Sequence, residues 1–139
     1  MNKKKLLNSV LLYMTLFFSI SVLAQSEPEV LKNWIALEEA DFHYDVSYSV
    51  VKCNPNSKPT VLINAFNEDG TNPKVGFTLN FSDNNGNTAQ VVVAPFTSKL
   101  GDMFIASCSS EKYSNLKFDY PENIDLTTVK VEITYQTQS

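Results

Sequence analysis

Cys53 and Cys108 are the only cysteines in this 139-residue sequence, and they carry its most definite chemistry. An even cysteine count behind a secretory leader predicts one disulfide. Such a bridge encloses about 55 residues and contributes roughly 4 kcal/mol by restricting the unfolded chain. The competing use is two free thiols for redox or metal work. There is no Cys-x-x-Cys, and His43 is the single histidine, so a zinc site would be short of ligands.

The other reactive residue types are sparse. A hydrolase needs a nucleophile, a base and an orienting group held together. His43, the one possible imidazole base, falls mid-strand on the expected wet face, and no Gly-x-Ser-x-Gly elbow occurs. With only Gly70, Gly76, Gly86 and Gly101, no phosphate-cradling loop can be built, and no cofactor is expected. Carboxylates cluster at Glu38, Glu39, Asp41 and Asp45, with Glu68, Asp69 and Asp83 in turns. Two of them could work as an acid/base pair if they converged across a cleft. Asp83, Asn85 and Asn87 alternate like the first half of a calcium loop, but Gly86 comes one place early and Ala94 stands where the closing Glu belongs. An Asn-Gly hairpin explains the same residues, and Asn67 to Thr71 is a weaker turn of this kind. Trp34, Phe96 and Tyr113 fall in loops or at element ends, where a flat ring could stack on a sugar or anchor a partner; core or rim packing is the ordinary alternative.

These residues sit in a chain that reads as exported. Lys3, Lys4 and Lys5 precede an apolar run from Leu6 to Leu23, and Val22-Leu23-Ala24 suits signal peptidase. Residues 1–24 are therefore the expected signal peptide, with Gln25 first in the mature chain. An uncleaved anchor is the alternative, but Ser9, Thr15, Ser19 and Ser21 dilute the run. No second apolar stretch is long enough to span a bilayer, so no membrane insertion is expected after signal removal. Cleavage removes three of eleven lysines and none of fifteen acids, leaving 8 minus 15, a charge of −7. With no Arg at all, the chain is a poor match for nucleic acid or an anionic membrane. A basic partner would be attracted.

The elements that would position these groups have a period of two. Phe42, Tyr44, Val46, Tyr48 and Val50 alternate with His43, Asp45, Ser47 and Ser49. Val75, Phe77, Leu79 and Phe81 alternate with Gly76, Thr78, Asn80 and Ser82. Further strands are expected over Thr60–Asn67, Thr88–Ala94 (stopped by Pro95), Met103–Cys108, Asn115–Tyr120 and Thr127–Thr137. In the last, Val129, Val131, Ile133 and Tyr135 face in, while Lys130, Glu132 and Thr134 face out. Val30, Leu31, Trp34 and Ile35 have helical spacing, yet Trp34–Leu37 also reads as a leading strand, which is the expectation adopted. About seven short amphipathic strands, with turn signals every 8–12 residues, predict a single all-β antiparallel sandwich over 34–139, with a small barrel as alternative. Residues 25–33 form a lead-in.

The leader ending Ser-Val-Leu-Ala-Gln, the early Trp34, the Tyr-rich strand running into Cys53, and Ser107-Cys108 together form a layout that resembles immunoglobulin-like and fibronectin type III-like sandwich modules. It is also similar to short exported bacterial proteins. The expected function is a non-catalytic binding module in the periplasm or beyond, with an envelope or extracellular protein as partner and a surface glycan second. A small secreted inhibitor or accessory factor of a basic enzyme is the next reading, and a carboxylate-based hydrolase the third.

Overall fold

The computed structural model describes residues 27–37, 44–68 and 74–136. The leader, Phe42, His43 and the carboxylates Glu38, Glu39, Asp41 and Asp69 lie outside the described residues. Among the described residues eight strands form: β1 (Glu29–Ala36), β2 (Tyr44–Lys52), β3 (Thr60–Asn67), β4 (Lys74–Ser82), β5 (Thr88–Thr97), β6 (Met103–Ile105), β7 (Lys117–Asp119) and β8 (Lys130–Gln136). They make two antiparallel sheets, as the alternation predicts. One runs β1-β2-β3, with β6 and β7 sharing the far edge of β3; the other runs β5-β4-β8. The all-β sandwich is the observed class. Its wiring departs from the immunoglobulin arrangement, in which the second and third strands lie in opposite sheets. Here β2 and β3 are hairpin neighbours from Tyr44↔Asn67 to Val51↔Thr60. The Cys-Asn-Pro-Asn-Ser-Lys-Pro connection turns back on itself, with Ser57 N–H donating to the Asn54 carbonyl at 3.0 Å.

The inward faces interlock through aromatics. Tyr48 of β2 meets Phe81 of β4 edge to face at 6.3 Å, and Phe81 meets Tyr120 at 6.0 Å. Such pairs add specific geometry to the burial of large rings. The Tyr135 hydroxyl of β8 donates to the Tyr44 carbonyl of β2 at 2.7 Å, a direct tie between sheets. One side of the sandwich is closed: Phe104 of β6 lies between Phe96 and Tyr113, at 4.9 and 5.5 Å. Beneath them a 3-10 turn (Ser114–Leu116) packs its fully buried Leu116 against β3 and β5.

Where strands begin and end differs from the sequence reading for local reasons. β1 starts at Glu29 because β2 offers it a partner as far as Lys52. β5 does not stop at Pro95. The register slips between Val75↔Phe96 and Phe77↔Val93, so Ala94 and Pro95 together face Gly76 in a bulge. Proline is tolerated there because β5 is an edge strand. Gly76 leaves the necessary room: a Cβ on it would lie 2.8 Å from Pro95 Cγ. β6 ends at Ile105 rather than Cys108, because a straight continuation would leave Cys108 two strands away from β2. It turns off to bond Cys53, with Cα atoms 5.3 Å apart. Asn115 and Leu116 belong to the 3-10 turn, so β7 begins only at Lys117. β8 begins at Lys130 because Thr127 and Thr128 are drawn into a turn headed by Asp125, whose Oδ1 accepts from Thr127 N–H at 2.9 Å. Ser49, outward by alternation, is buried because its hydroxyl donates to the Lys32 carbonyl of β1 at 2.7 Å.

Two stability results follow. Reducing Cys53–Cys108 removes about 4 kcal/mol, which a thermal melt with and without reductant reads as a drop of many degrees; the oxidised, denatured protein shows no titratable thiol. Gly76→Ala forces Pro95 and β5 aside and costs about 1–3 kcal/mol, seen as a lower denaturant midpoint, whereas Gly86→Ala meets no neighbour and pays only the strain of a positive φ.

Candidate functional site

The residues singled out by type are scattered. Trp34 lies on β1 and is 45% exposed. Phe96 and Tyr113 are half-buried around Phe104 on the opposite side of the sandwich, and Lys112 Nζ sits 4.9 Å above the Tyr113 ring. The three therefore form no common aromatic platform. Phe104, the ring that joins two of them, follows the inward alternation of β6 and was not distinguished in the sequence from other core aromatics.

Asp83, Asn85 and Asn87 do come together, with the carboxylate already engaged. Asp83 Oδ1 accepts the backbone N–H groups of Asn85 and Asn87, at 2.9 and 3.0 Å. Its Oδ2 accepts Asn87 Nδ2 at 2.9 Å and the Asp125 backbone N–H at 3.0 Å. Gly86 closes the turn at φ +83°. Asp83 thus clasps the β4–β5 hairpin to the chain leading into β8. The Asp125 N–H, followed by the Asn87 amide and the remaining donors, holds its carboxyl down at about 2. The Asp125 carboxyl is lowered too, first by the Thr127 N–H and then by the Thr127 hydroxyl. Both are anions satisfied by donors, with no proton to transfer near neutral pH. Asp45 and Glu68 are exposed. Among the described residues no cluster of three or more His, Cys, Asp or Glu is placed to hold a metal ion. Asp125, the partner that explains Asp83, was not singled out, because nothing in a local motif connects positions 42 residues apart.

One concavity lies between the edges of the two sheets. β1 borders one sheet and β8 the other, and between them runs a groove of about 650 Å³. Ile35 and Leu37 line it from the β1 side, Val129, Val131 and Ile133 from β8, and Tyr48 forms part of its floor. Lys32, Lys130 and Glu132 stand at its rim.

The edges are unequally protected. β1 has register shifts between Val30 and Lys32 and between Lys32 and Ile35. β5 carries Pro95 and its bulge. β6 and β7 are three residues each. Bulges, proline, shortness and cover are the usual devices that keep an edge from pairing. β8 has none of them. It pairs with β4 without interruption from Lys130↔Ser82 to Gln136↔Gly76, and no other strand among the described residues pairs with it.

Because the folded Asp83 carboxyl titrates below its ordinary value, its contribution is complete above about pH 4 and is lost as pH falls towards 2. Asp83→Asn lowers the melting temperature at pH 7 and flattens its fall across that acid window, as measured by melts from pH 7 to 2.

Comparison with known proteins finds no family model that matches the chain, no matching curated protein and no matching solved structure.

Proposed function

We propose that this is an exported, non-catalytic binding module that takes an extended segment of an envelope or extracellular protein onto the open edge of β8. The observation that carries this reading is the contrast between one regular, unblunted seven-residue edge and three protected ones. An added strand gains backbone hydrogen bonds along β8, and its alternate side chains enter the groove against Val131, Ile133 and Ile35. Affinity comes from the ladder and selectivity from the apolar positions. The disulfide fits an oxidising compartment. Among the described residues no helix is long and apolar enough to cross a membrane.

The test is affinity capture by the exported, oxidised protein from an envelope extract of its own organism, repeated with Val131→Lys. An inward charge at an edge strand opposes strand addition, so the variant is expected to lose the captured partner at least tenfold, while Trp34→Ala retains it. Amide hydrogen exchange along β8 slows when the partner binds, which separates edge pairing from a loss of fold. Equal capture by a folded Val131→Lys protein, unchanged exchange along β8, or binding confined to glycans would overturn the reading.

A further inference from the structure

We infer that one occupant of this edge is β8 of a second copy, paired antiparallel about a two-fold axis through Val131. This rests on the reading of β8 as an accepting edge and adds the identity of the partner strand.

The register follows from side-chain parity and charge. Along β8, Val131, Ile133 and Tyr135 turn towards the core, while Lys130, Glu132 and Thr134 are exposed on the outer face. If a second strand continues both faces, the axis must pass through a residue, because an axis between residues sets inward side chains beside outward ones. Centred on Lys130, the pairing places Lys130 against itself; centred on Glu132, it places Glu132 against itself. Centred on Ile133, it leaves both charges facing neutral residues. Only the register centred on Val131 sets Lys130 of each copy opposite Glu132 of the other, giving two reciprocal ion pairs on the outer face. Neither residue has an ion-pair partner among the described residues, so both are available.

The same register serves the inward face. Val131 meets its own copy, and Val129 of each chain meets Ile133 of the other. All three residues line the groove. The paired stretch, Val129 to Ile133, has the length of an ordinary strand. The two register shifts of β1 keep the neighbouring edge from forming a second ladder, so the contact stays confined to β8.

Charge reversal tests this without touching the core, since Lys130 and Glu132 are both exposed. Sedimentation equilibrium of the exported, oxidised protein should show a reversible, concentration-dependent dimer. Lys130→Glu and Glu132→Lys each turn both ion pairs into like-charge contacts and should weaken dimerisation about tenfold. Mixing the two variants restores opposite charges at both positions, so the mixture should form heterodimers about as strongly as the native chain dimerises. A native protein that stays monomeric at every concentration, a dimer indifferent to both reversals, or a mixture that fails to pair would each overturn self-pairing. If the native chain is monomeric but Val131→Lys still abolishes capture of an extended partner, the edge reading stands and only the second copy falls. If Val131→Lys changes neither, both fall.

Discussion

Two sheets can share an apolar layer only as far as each has strands to set against the other, and here their widths differ. One sheet has four strand positions, the last filled in turn by β6 and β7, while its partner has three. Facing sheets pack about 10 Å apart, and an inward side chain with no strand opposite it stays open to solvent. The mismatch could fall on either side. Phe96, Phe104 and Tyr113 close the β5 side, so the deficit appears between β1 and β8. The groove is thus a geometric remainder of unequal sheets, and the exposure of Ile35 at its lip has the same origin.

Closing the other side requires a long irregular segment to be held down. Between Ile105 and Lys130 only β7 forms a strand, so this stretch has few ladder bonds of its own. It is tied instead at separate points. Cys108 is bonded to the end of β2, and the Tyr120 N–H donates to the Pro59 carbonyl at 2.9 Å. Near the start of β8 the Asp125 N–H is held by Asp83. Between these ties Leu116, Tyr120 and Ile124 are buried and complete the core. Tyr120 is placed so deeply that burial, reinforced by Tyr48 and the Asp125 and Asp83 charges, pushes its hydroxyl up to about 12. A covalent bond, a backbone hydrogen bond and an anionic acceptor together replace what a sheet would otherwise supply.

The functional reading rests on the same economy of edges. An unpaired strand presents donors and acceptors that can be met by water, by another strand, or by nothing if the strand is bent out of register. β1 and β5 carry register shifts; β8 pairs without one and borders the groove. Binding at such an edge needs no titratable constellation. The carboxylates brought together at Asp83 and Asp125 are saturated by N–H and hydroxyl donors.

Much of the fold was legible in the sequence because a half-buried strand writes its burial into alternate positions. Tyr44 to Val50 and Val75 to Phe81 announced their inward faces, and the only two cysteines could bond only each other. The Asp83 to Gly86 turn was legible through residues that tolerate its backbone. Asp83 itself was ambiguous, because the residue spacing that suggests an ion loop also builds a hairpin, and Asp125, which decides its role, lies far along the chain. Pro95 read as a strand end because the room that Gly76 leaves opposite it arises only after pairing. The sequence alone thus determined the class, the buried faces and the bridge, all carried by residue type and short-range spacing. Sheet order, the open side and the place of β8 at a sheet edge were decided by tertiary structure, because alternation is the same in a central strand and an edge strand, and only the neighbours tell them apart.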